Sequence, residues 1–133
     1  MNLYIKVVDG NPVDHPLLEA NLLEAFPEIN LSDPACGYAP FQRIQKPLSG
    51  VYQVYVGHRY AAVDGVYQDV WDFRDMTAEE RALKIANIKA EWVFAGFPSW
   101  VFNETECRFE PPLPYPTDDS KRWFWDEDLQ QWV

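Results

Sequence analysis

The sequence predicts an α+β fold: a small antiparallel β-meander packed with two helices, followed by an aromatic C-terminal segment of two β-hairpin-like units. Three observations predict it. Short β-branched and aromatic runs alternate with glycine turns, one stretch carries a helix-capping signature, and an aromatic unit near the C-terminus is written twice. At 133 residues with 47% hydrophobic and 16% aromatic side chains, the chain has the size and apolar content of one folded domain. Residues 1–96 are expected to form the α+β body and residues 97–133 an aromatic repeat tail packed on it, one compact domain in all.

The run Leu3 to Val8 is β-branched and aromatic and ends in Asp9-Gly10, so it reads as a strand entering a turn. Asp14 reads as an N-cap with Pro16 in the first helical turn, and Leu18, Leu22 and Ala25 recur at helical spacing before Pro27, giving a helix over about 14–26. Residues 28–40 read as loop. Four strand-like runs follow: Phe41–Ile44, Val51–Val56, Arg59–Val63 and Val66–Phe73. Gly57-His58 and Asp64-Gly65 read as two-residue turns that make the last three a meander. Within Val66–Phe73, alternation places Tyr67, Asp69, Trp71 and Phe73 on one face. The second helix, about 77–94, opens on a capping box of Thr77 and Glu80, carries the apolar line Ile85, Ile88 and Trp92 with Ala82, Ala86 and Val93 beside it, and is ended by Gly96 and Pro98.

Beyond Pro98, Trp100–Phe109 and Trp123–Trp132 align 23 residues apart as an aromatic run, Asn or Asp, Glu, four variable residues and an aromatic. Each suits a hairpin of aromatic strand, polar turn and aromatic return, held by cross-strand aromatic pairs. Isolated hairpins are marginal in water, so both units must pack on something. Covering the body's own core accounts for most of these rings, and Trp100 and Phe102 are assigned there. The binding surface is placed on the last unit, at Trp123, Phe124, Trp125 and Trp132, with Tyr115. The stretch Pro111–Pro116 reads as a stiff spacer between the units, with a polyproline ligand as the alternative.

Catalytic patterns are missing from the sequence. His15 reads as a capping or surface residue and His58 as an exposed turn residue; neither sits in a zinc-binding spacing. No phosphate loop, dinucleotide fingerprint or nucleophile elbow occurs. Glu104, Glu106, Asp126, Glu127 and Asp128 supply carboxylates, but turns carry acids for ordinary reasons, and a glycosidase pair needs a cleft. No enzyme activity, cofactor, metal or small-molecule ligand is expected. The net charge of −10, from 21 acidic and 11 basic residues, disfavours direct contact with nucleic-acid phosphates. It reads as solubility, or as a surface for a basic partner or a mimic of DNA. Cys36 and Cys107 form no CxxC and read as buried thiols, with a disulfide left open. No apolar run reaches membrane-spanning length, and Met1-Asn2-Leu3-Tyr4 lacks the basic start of a signal peptide, so folding in a cytosol is expected.

Three stretches carry a resemblance. They are Tyr4–Pro16 with Leu22–Pro27; Val70-Trp71-Asp72-Phe73-Arg74-Asp75-Met76-Thr77-Ala78-Glu79-Glu80; and Phe97–Trp100 with Pro112–Pro116 and Trp123–Glu127. Together they resemble small proteins of tailed bacteriophages that infect cyanobacteria. The resemblance spans nearly the whole chain and brings no catalytic residues with it. It implies a virion-associated structural or accessory subunit of the tail, fibre attachment or capsid. Such a subunit is made in the host cytoplasm and contacts other phage structural proteins, or copies of itself. The rival readings are a cytoplasmic tail or fibre assembly chaperone, an acidic host-directed inhibitor, and a carbohydrate-binding module.

Overall fold

In the computed structural model, which describes residues 2–133, the chain is α+β and divides into two units. Among the described residues, the first comprises 2–49 and 54–74, and the second 50–53 and 75–133.

The first unit is built on a curled, largely antiparallel sheet of β1 (Leu3–Val8), β2 (Asn11–Leu18), β3 (Tyr38–Gln42), β4 (Gln53–Val63) and β5 (Val66–Asp75), in the order β2-β1-β3-β5-β4. Asp9 and Gly10, both at positive φ, turn β1 back into β2, and Asp64-Gly65 does the same between β4 and β5. β3 lies antiparallel to β1 but parallel to β5, with Phe41 opposite Tyr67. Ile5 and Phe41 are buried from the sheet, and Leu22 from α1 (Glu19–Ala25).

Two expected elements differ here. The helix expected from residue 14 begins at Glu19, because Asn11–Leu18 pairs with β1 as a full strand. Asp14 takes a left-handed φ of 61°, and the register between β1 and β2 slips between Tyr4 and Lys6. The Asp14-His15-Pro16 signal is therefore a bulge rather than a helix start. β2 is an edge strand, where the missing N–H groups of Pro12 and Pro16 are tolerated. The turn expected at Gly57-His58 is likewise replaced by unbroken strand: β4 runs for 11 residues through both positions.

The second unit holds α2 (Ala78–Trp92) and two hairpins, β6 (Val101–Asn103) with β7 (Arg108–Glu110) and β8 (Trp125–Asp126) with β9 (Gln131–Trp132). The capping box is formed as read: Thr77 Oγ1 accepts from Glu80 N–H, and the Glu80 carboxylate accepts from Thr77 N–H, both at 3.1 Å. Gly96 turns the chain away at φ 80°. The short segment 50–53 belongs to this unit because it braces α2. The Tyr52 carbonyl accepts from Met76 N–H, the Val51 carbonyl accepts from Lys84 Nζ, and Arg81 lies 4.1 Å over the Tyr52 ring.

The two hairpins repeat each other residue by residue at the 23-residue offset. Phe102 faces Phe109 across the first, and Trp125 faces Trp132 across the second. Asn103 Oδ1 accepts from Glu106 N–H, and Asp126 Oδ1 accepts from Leu129 N–H. Cys107 and Gln130 each close the turn at φ 53° and 50°. Asn and Asp recur at the start because their short side chains cap the turn they enter.

Candidate functional site

The aromatic cluster of the second unit grows from these two hairpins. In the first, Phe109 stacks on Trp92 of α2 (4.6 Å between centroids, 6° between planes), and Trp92 also meets Phe97 and Trp100. The Trp92 indole N–H donates to the Phe97 carbonyl at 3.0 Å. Trp100 then meets Trp125 and Trp132 of the second hairpin edge-on, at 6.2 and 6.5 Å. Its own indole nitrogen is buried without a hydrogen-bond partner.

Glu127 ties the second hairpin to the segment that leads into the first. Its carboxylate accepts from Ser99 N–H (2.8 Å), Ser99 Oγ (2.7 Å) and Trp125 Nε1 (2.9 Å). Burial alone would raise its pKa, but the donors of Ser99 and Trp125 outweigh burial and hold it below its ordinary value of 4.5. A carboxyl depressed in the fold stabilises above its ordinary titration range, and that contribution fades as pH falls through the lowered folded value. Glu127→Gln is therefore expected to lower the melting temperature at neutral pH, and the gap between variant and native chain should close in acid. Thermal melts from neutral pH down to about pH 2.5 measure this; a gap independent of pH would refute it. In Glu127, then, the fold has one of the acids considered for paired-carboxylate chemistry holding the second hairpin to Ser99.

The residues assigned to a binding surface separate into two groups. Trp125 and Trp132 are half-buried and face Trp100 and each other. Trp123 is half-buried, its indole N–H donating to the Asp118 carbonyl, with Lys121 Nζ 4.3 Å above its ring. Phe124 and Tyr115 stay exposed, at 61% and 54%.

A surface that sequence reasoning missed lies on α2. Its packed side carries Ile85, Ile88 and Trp92, all half-buried. On the opposite side, Leu83, Ala86 and Ala90 follow one another at helical spacing and lead to Val93 and Phe94 just past the helix end. Leu83, Val93 and Phe94 are 63%, 78% and 90% exposed. The apolar line through Ile85 was legible as periodicity. The second line was missed because Ala86 and Val93 read as flanking the packed line, whereas Val93 is exposed.

The first unit has a different cluster, also missed. Asp69 is buried on β5, and its Oδ1 accepts from Arg43 Nη1 and His58 Nε2, both at 2.7 Å, while Oδ2 accepts from Ile44 N–H at 2.8 Å. His58, with a side chain only a quarter exposed, stacks on Trp71 at 4.0 Å and meets Tyr60 edge-on. The Tyr60 hydroxyl in turn bonds His15 Nδ1 at 3.1 Å. Both histidines are thus drawn into one polar row, His58 from β4 and not from an exposed turn. A carboxylate can only accept, so His58 carries its proton on Nε2. The bonds of the row are those of a polar lock across the sheet.

Cys36 and Cys107 are free thiols. Cys36 donates to the Tyr38 carbonyl; Cys107 is buried at the hairpin turn. Among the described residues, no group of three or more His, Cys, Asp and Glu side chains converges on a metal-sized site, and no helix is long and apolar enough to cross a membrane. Comparison with known protein families, curated proteins and solved structures gave no match for this chain.

Proposed function

We propose that the chain is a virion-associated accessory subunit of a tailed bacteriophage, acting through protein–protein contact at the outward side of α2. One observation carries the contact surface: a capped helix, packed on one side, presents Leu83, Val93 and Phe94 to solvent on the other. Large apolar side chains grouped on one helix face mark an interaction site more often than scattered ones do. The phage setting rests on the sequence resemblance over Tyr4–Pro16, Val70–Glu80 and the aromatic tail.

Charge narrows the partner. A net charge of −10 makes a second copy repulsive. The exposed positions of α2 carry both signs, Glu79 and Glu91 with Arg81 and Lys89, so the face suits another phage structural protein, one that offers an apolar groove.

The test is incorporation. Leu83→Glu with Phe94→Glu alters exposed positions, so the fold should survive, while recovery of the chain in purified particles, read by mass spectrometry, should fall at least tenfold. Absence of the native chain from purified particles would remove the virion reading. Full incorporation of the double variant would remove α2 as the contact.

A further inference from the structure

The chain between the hairpins bends at Pro112 and Leu113, and the second hairpin holds the bend. The Trp132 indole N–H donates to the Leu113 carbonyl at 3.0 Å. The Tyr115 hydroxyl accepts from Trp123 N–H at 3.3 Å, and the Trp132 ring stands edge-on to the Tyr115 ring at 5.0 Å. Tyr115 is thus fixed by its hydroxyl and its ring, yet 54% exposed. A ring so placed adds little buried area, so packing alone gives no reason for its being held.

Together with Arg108 and Glu110 of β7, Pro111, Pro112, Pro114 and Tyr115 line an open cleft of about 510 Å³. That volume lies within the ~300–1,000 Å³ of ligand sites. Arg108 and Glu110 are two residues apart and share one face of the strand, while Phe109 between them turns to Trp92. Arg108 Nε donates to Glu110 Oε1 at 3.1 Å, and Asn103 Nδ2 donates to Oε2 at 3.2 Å. The Asn103 amide, and after it the Arg108 guanidinium, hold the Glu110 carboxyl below its ordinary value of 4.5, so it is a charged acceptor at neutral pH. The amino groups of Arg108 carry its remaining donors. The hairpin itself does not require this pair: 23 residues on, Gln131 and Val133 occupy the same two positions.

An aromatic ring and prolines beside a planar donor–acceptor pair match the two sides of a sugar ring. The negative face of the Tyr115 ring attracts the weakly positive C–H groups of a pyranose. Neighbouring hydroxyls each donate and accept, and a guanidinium next to a carboxylate answers both. Charge selects within the class. Arg108 and Glu110 cancel each other, and the chain carries −10, so an anionic sugar or a phosphate is disfavoured.

We infer that the cleft lined by β7 and Tyr115 is a binding site for a neutral hexopyranose, with Tyr115 as the stacking platform and Arg108 and Glu110 reading a pair of neighbouring hydroxyls. The site stands independently of the α2 surface and gives the chain a glycan contact besides its protein contact.

The probes are the methyl pyranosides of glucose, galactose, mannose and N-acetylglucosamine, titrated into the full chain. The readouts are the Arg108 Nε–H resonance and the Trp123 backbone N–H resonance, which reports on the Tyr115 hydroxyl. At least one probe should shift both signals saturably in the millimolar range, and silence from all of them overturns the inference. Tyr115→Ala and Arg108→Gln, both at exposed positions, should each weaken that binding at least about tenfold. Unchanged affinity in either variant overturns the inference. Should Tyr115→Ala lose its native-like indole signals, Arg108→Gln decides, read at Trp123 N–H. The uronic acid form of the probe that binds should bind at least about tenfold more weakly than its neutral parent, and equal or tighter binding overturns the neutral assignment.

Discussion

Replacing Asp69 with alanine should destabilise the protein by about 3 kcal/mol, since removing one partner of a buried ion pair leaves the others without compensation. Three groups lose their acceptor at once: the Arg43 guanidinium, His58 Nε2–H and the Ile44 backbone N–H. Arg43 is 45% exposed and can turn to water, which holds the cost at the low end. Ile44 N–H and the His58 ring, stacked on Trp71, have less freedom. Asp69→Asn should recover part of the loss, because its single carbonyl oxygen serves one side while its amide points a donor at donors on the other. For a chain of this size the alanine variant should melt about 10 °C below the native protein. A loss below about 1 kcal/mol in urea or thermal melts would mean that water replaces the carboxylate.

The second large effect belongs to the aromatic cluster. Trp92→Ala should cost about 3 kcal/mol, the lower end of the range for aromatic truncation, because the ring is half-buried. It removes the stack on Phe109, the contacts with Phe97 and Trp100, and the bond that fixes the Phe97 carbonyl. Two residues on, Phe94→Ala should change stability by no more than about 0.5 kcal/mol, since Phe94 is 90% exposed. The pair separates packing from contact: Trp92 should register in denaturant melts of the isolated protein, whereas Phe94 should register only when a partner is present. Equal losses at the two positions would place Phe94 in the core.

What could be read from the sequence followed local chemistry. The capping box at Thr77, the Asp9-Gly10 and Asp64-Gly65 turns and the hairpin repeat all lie within a few residues of their own determinants, and each is found where the pattern put it. Where two local rules competed for the same residues, the strand pairing decided. Asp14 and Pro16 carry the signature of a helix start, but the hydrogen bonds of β2 with β1 use the same stretch, and an edge strand admits both prolines. Gly57 punctuates a strand without ending it. Alternation correctly set Asp69 on the face of Trp71. Nothing in the order of residues, though, announces that Arg43 and His58, 26 and 11 positions away, would meet it. The parallel pairing of β3 with β5 was hidden for the same reason, since it joins segments separated by a long connection. Of the assigned surface, the aromatic character was legible, but not that a 23-residue repeat would turn Trp125 and Trp132 toward Trp100.

The brace formed by residues 50–53 has a consequence for how the molecule can be taken apart. The chain passes from one unit to the other at 49/50, 53/54 and 74/75, so neither unit is a continuous stretch. A fragment starting at Asp75 keeps α2 and both hairpins but loses Tyr52, with its carbonyl on Met76 and its ring under Arg81. A fragment ending at Arg74 carries Gly50–Gln53 along as an orphaned piece of the other unit. On the ribosome, Tyr52 must likewise wait for α2, whose last residue is made 40 positions later. No single cut frees an intact unit, and a gene dissected at the 74/75 boundary would express two incomplete ones.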